Sequence, residues 1–185
     1  DGVLALQQGG SLGVEEVLAL LRETVEGVEV AIEGEAVGTG DHRHCHRAVA
    51  PATSSPLMDD RVRVAQLLGR EPRGAFDVVV RDDDGDPVVV RNAPLLDDGT
   101  PMPTRYYLVG AELVRDVSRL EADGGVRRAE AEVDAAAISA THERYAAERD
   151  AAIAAGHQGP RPYGGVGGTR TGVKCLHAHV AYALA

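Results

Sequence analysis

The sequence predicts an α+β domain, a small antiparallel three-stranded sheet packed against three or four helices and preceded by an N-terminal appendage. The Val-rich runs Phe76 to Arg81 and Val88 to Arg91 are separated by Asp82-Asp83-Asp84-Gly85-Asp86-Pro87, and an Asp-Gly pair between such runs signals a β-hairpin. A third run with β-formers, Thr104 to Val109, follows the turn from Asp97 to Pro101. Beyond it the chain turns Ala-, Glu-, Leu- and Arg-rich, so the helices that follow are expected to cover one face of the sheet.

In chain order, residues 1–57 read as appendage and linker, foreign to the domain at 58–185. Ser11 caps a helix whose apolar positions are Val14, Val17, Leu18 and Leu21, and Val28 to Ile32 alternates as a short strand. Gly38 to Pro56 has linker composition, and Met58 is a possible natural start. The charge divides unevenly, with a net of −6 in 1–57 and −4 in 58–185. Arg61 to Leu68 predicts a short helix ended by Gly69. After the three strands, Ala111 to Ala122 predicts a helix stopped by Gly124-Gly125. Val126 to Ala155 contains neither Gly nor Pro and predicts one long helix. Residues 156–172 hold nine Gly or Pro and predict a mobile loop. The last helix is expected from near Val173 to Ala185; it has no cap, which suggests truncation at the C-terminus.

Composition narrows the function. Aromatics are 3% of the chain, too few for stacking platforms that bind single-stranded nucleic acid. A net charge of −10 and a pI near 5.1 oppose general binding to nucleic acid or to anionic membrane surfaces. No apolar run approaches the roughly 20 residues of a membrane span. Two distant cysteines, Cys45 and Cys175, and no export signal make a reducing cytoplasm the expected location. Of the 19 basic residues only Lys174 is a lysine, so arginine abundance by itself says little about anion recognition.

Two helices carry the residues that suggest chemistry. At 100° per residue, Cys175, His179 and Tyr182 fall on one face of the last helix, with Lys174 at its start. Cysteine and histidine four residues apart suit a nucleophile–base pair or two metal ligands; the plainer alternative is a buried cysteine acting as a small apolar side chain. On the long helix, His142, Tyr145 and Arg149 share the face of Ile138 and Ile153. An inward arginine needs an anion, either a ligand or a carboxylate of the protein itself. If the two helices pack together, His142, His179 and Cys175 form a possible zinc set. Arg73, near Arg70 and Pro72, offers a further anion contact, and Asp98 presents a carboxylate from a turn. Three other motifs carry less. Gly164 to Arg170 lacks the Gly-Lys-Ser/Thr ending of a P-loop. Asp82 to Asp86 lacks the later glutamate of a calcium loop. His42, His44, Cys45 and His46 are too close together to surround one tetrahedral ion.

Taken in order, Leu68-Gly69-Arg70-Glu71-Pro72-Arg73-Gly74, Asp98-Gly99-Thr100-Pro101-Met102-Pro103-Thr104 with Tyr106-Tyr107-Leu108, Arg119-Leu120-Glu121, His142 to Arg149, and Gly172-Val173-Lys174-Cys175-Leu176-His177-Ala178-His179 resemble the bacterial "domain of unknown function 501" family. The resemblance covers about 58–185 and brings no established activity, cofactor or catalytic residue. Members are often encoded beside enolase, a septum-formation initiator and an exopolyphosphatase-like enzyme, which implies cytoplasmic housekeeping. Two expectations follow. One is a domain that binds, or hydrolyses, a small anionic molecule: Arg149, Tyr145, Lys174, Arg73 and Asp98 contact the ligand, and Cys175, His179 and His142 act as catalysts or zinc ligands. The other is a non-enzymatic protein that binds a partner in cell division or envelope upkeep.

Overall fold

A computed structural model describes residues 56–185 together with Val17 and Ala19. The readings made for the rest of 1–55, including the strand at Val28 to Ile32 and the His42–His46 cluster, lie outside the described residues. Val17 is helical and fully buried in the main core.

The elements are α1 (Pro56–Leu68), β1 (Phe76–Arg81), β2 (Pro87–Asn92), β3 (Tyr106–Leu108), α2 (Ala111–Ala122), α3 (Gly125–Glu132), α4 (Ala135–Ala151), a 3₁₀ turn at Val166–Gly168, and α5 (Leu176–Leu184). Helix α1 begins at Pro56 rather than Arg61, since proline is tolerated in a first helical turn, where its missing N–H would have no partner anyway.

The sheet is antiparallel in the order β1-β2-β3, as expected. Pairing of Val78 with Val90 and of Val90 with Tyr107 sets one face; pairing of Arg91 with Tyr106 and of Val89 with Leu108 sets the other. Strand alternation therefore splits the core in two. Val89, Tyr106 and Leu108 join Leu113 and Val117 of α2, Ile138 and Tyr145 of α4, and Leu176 and Val180 of α5. On the opposite face, Val90 packs with Val64 of α1, and Leu67, Leu68, Phe76 and Val78 complete a smaller cluster. The helices that follow the sheet thus cover one face, as expected, and α1, which precedes it, covers the other.

The expected long helix is two helices. The chain is extended at Val133, and Asp134 caps α4 by accepting a hydrogen bond from the Ala137 N–H at 3.0 Å. An aspartate cap restarts a helix as effectively as a glycine ends one. The last helix starts at Leu176 because Cys175 has extended backbone angles. Among the described residues, no helix is long and apolar enough to cross a membrane.

Candidate functional site

Helix α4 presents Ile138, Thr141, His142, Tyr145 and Arg149 to the interior, a stripe at helical spacing in which all but the isoleucine carry a polar group. Each hydrogen-bonding partner identified for His142, Tyr145 and Arg149 belongs to the chain. Arg149, 1% exposed, donates to the Gly164 carbonyl at 2.7 Å, the Pro162 carbonyl at 3.3 Å and the Tyr163 carbonyl at 3.4 Å, and its Nε meets Asp150 Oδ1 at 2.9 Å. The Val166 N–H donates to His142 Nδ1 at 3.0 Å, which makes Nε2 the protonated nitrogen; it donates to the Gly172 carbonyl at 3.0 Å. The Tyr145 hydroxyl accepts the Arg105 N–H at 2.5 Å and so ties α4 to the start of β3. Burial pushes its phenol up to about 12. Arg149 and Tyr145 thus hold residues 162–172 and β3 in place.

The Gly-rich segment is a strap, corrected from a mobile loop. Val166 is fully buried, and Gly165 lies so close to α4 that a Cβ there would sit 2.4 Å from His142 Cβ and 2.5 Å from His142 Nδ1. Gly165→Ala is expected to cost about 2 kcal/mol, because the obstacle includes helix backbone that cannot rotate away. Gly156→Ala, with nothing within 4 Å, is the control and should stay within about 0.5 kcal/mol in urea denaturation. Equal midpoints for the two variants would contradict the strap.

Helix α5 enters through Cys175, whose backbone stands outside the helix, so the shared helical face expected for Cys175 and His179 does not exist. Burial raises the Cys175 thiol above its ordinary value, and Glu121 adds to this. A thiol held in that form is a poor nucleophile. The Glu121 carboxylate accepts the Leu176 N–H and faces His177 Nδ1 at 3.2 Å, neutralising the positive end of α5. Lys174 is exposed just before it.

His142 and His179 do meet, with ring centroids 5.9 Å apart. His179 is 1% exposed, and neither ring nitrogen has a hydrogen-bond partner among the described residues; burial, then the neighbouring His142, lowers it to about 4. The zinc set does not fit. Both His142 nitrogens are engaged by the strap, and no three His, Cys, Asp or Glu side chains are grouped to hold a metal among the described residues.

Arg73 and Asp98 lie elsewhere, beside a cleft of about 210 Å³ between α1, the α1-side face of the sheet and the 94–104 loop. Its walls include Leu68, Phe76, Val90, Leu96 and Met102, with Arg70, Arg73, Asn92, Thr104 and Tyr107 as polar members. The loop is pinned by the Leu96 N–H to Thr100 carbonyl bond at 2.8 Å and the Met102 N–H to Pro94 carbonyl bond at 2.9 Å. Gly74 closes the near side against Leu96, whose Cδ2 would lie 3.1 Å from a Cβ at that position. Arg61 donates to the Pro72 carbonyl at 2.7 Å and fixes the turn that carries both arginines. Arg73 approaches Asp98 at 3.9 Å, while Arg70 has no ion-pair partner among the described residues. Hydrogen bonds from Thr100, with Arg73 adding a smaller part, hold the Asp98 carboxyl below its usual range. Asn92 donates through its amide nitrogen to the Thr104 carbonyl at 2.9 Å. Asn92, Thr104 and Tyr107 are not among the candidate site residues that the sequence suggests. Tyr107 was accessible to that reasoning, because it alternates with the buried Tyr106 and must face the other side of the sheet.

No curated protein and no solved structure matches the chain significantly. Residues 78–185, more than half of the chain, match the family model described as "Protein of unknown function (DUF501)"; the match starts after α1 and the arginine turn, and the chain belongs to that family.

Proposed function

We propose that the domain binds a small anionic ligand in the cleft beside Arg70 and Arg73. The observation that carries this reading is a preformed recess with apolar walls and two guanidinium groups, one of them without an ion-pair partner among the described residues. An apolar recess with a few convergent polar groups is the usual form of a small-molecule site. Arg149, Tyr145 and His142 are instead engaged by the chain itself, and the raised Cys175 thiol favours binding over a hydrolytic role. The reading includes a bacterial, cytoplasmic setting, supported by the sparse cysteines.

Thermal denaturation of the full chain with acetate, benzoate, citrate and inorganic phosphate, at matched ionic strength, tests it. At least one anion should raise the midpoint saturably, by the equivalent of about 2.7 kcal/mol at a hundredfold excess over its Kd. The response should vanish in the Arg70→Gln/Arg73→Gln double variant. Failure of every anion, or an unchanged response in the double variant, overturns the proposal.

A further inference from the structure

Resting on that reading, we infer that the ligand is a monocarboxylate with a ring-sized apolar body, rather than a phosphate, a polycarboxylate or a nucleotide. The first reason is size. A dry cavity of about 150 Å³ accepts a benzene ring, so about 210 Å³ holds one ring and its substituent. Drug-sized and cofactor-sized sites begin near 300 Å³, which leaves a nucleotide outside.

The second reason is charge. Of the two guanidinium groups lining the cleft, Arg73 already faces the Asp98 carboxylate and Arg70 has no ionic partner among the described residues. One positive charge is left over, which suits a single negative charge and disfavours a phosphate dianion beside Asp98. A carboxylate also matches the planar fork of a guanidinium. The third reason is the wall. Leu68, Phe76, Leu96 and Met102 offer apolar surface that a bare anion would leave unused. Methionine adapts to irregular ring contacts, and Phe76 supplies an aromatic one.

Calorimetric titration of the full chain with benzoate and cyclohexanecarboxylate, against acetate, inorganic phosphate and ATP, decides the matter. The ring carboxylates should bind at least tenfold more tightly than the other three. Met102→Trp, which fills the cleft, should remove that binding while circular dichroism stays native. Leu96→Trp is the second blocking variant should the first fail to fold. Acetate or phosphate binding as tightly as benzoate would leave the anion site standing and overturn the ligand class. Absence of binding by all five would overturn both. Undiminished benzoate affinity in a folded blocking variant would place the ring elsewhere and also overturn this inference.

Discussion

Arg149→Met should destabilise the protein by about 3–5 kcal/mol, the range found when one partner of a buried charged network is removed. The guanidinium is 1% exposed and answers the carbonyls of Pro162, Tyr163 and Gly164 together. Methionine fills much of the same volume but donates no hydrogen bond, so buried acceptors lose their partners. Asp150 is less affected because its side chain is 39% exposed and water can replace the contact. Arg149→Lys should fall between the two, since an ammonium cannot reproduce the planar fork. Urea denaturation gives the free energies, and limited proteolysis should show new cuts between 156 and 172 in the methionine variant. A loss under about 1 kcal/mol, with the strap still protected, would show that the network is not what holds it.

Acid should weaken the fold through His179. In the native protein burial, with His142 next to it, lowers this imidazole to about 4, against an ordinary value of 6.5. Between those values the unfolded chain takes up a proton that the folded chain refuses. Stability is therefore fully retained above about pH 6.5 and lost as the pH falls toward 4. The difference corresponds to about 3 kcal/mol on the scale of 1.4 kcal/mol per unit. His179→Phe, which replaces the ring without a titratable nitrogen, should flatten this part of the profile. Denaturation midpoints from pH 7 to pH 4 in both proteins make the comparison. Parallel profiles would assign the acid sensitivity to other groups.

The sheet was legible because its signals are local. Asp84-Gly85 between two valine runs specifies the hairpin, and the valine-rich composition of Phe76 to Arg81 and Val88 to Arg91 specifies its strands. The break in the long helix carries no Gly or Pro. Asp134, directly before the Ala135–Ala151 run, held the relevant information as a cap. The candidate site was legible in part. That His142 and His179 meet follows from two helix faces, but the grip of Arg149 on the strap does not, because its partners there are carbonyls with no side-chain signature. Glycine misled in the strap for a related reason. Gly165 is required by the closeness of His142, which depends on a tertiary contact that no local pattern encodes. The cleft was hardest to foresee, since Arg73, Asn92, Leu96 and Tyr107 converge from separate elements without a common spacing.

Because Arg149 meets Tyr163 only at its main-chain oxygen, that contact is indifferent to the side chain carried there. The side chain of Tyr163, 66% exposed above that grip, is accordingly open to replacement, and new chemistry could be mounted on this ridge without loosening its anchor.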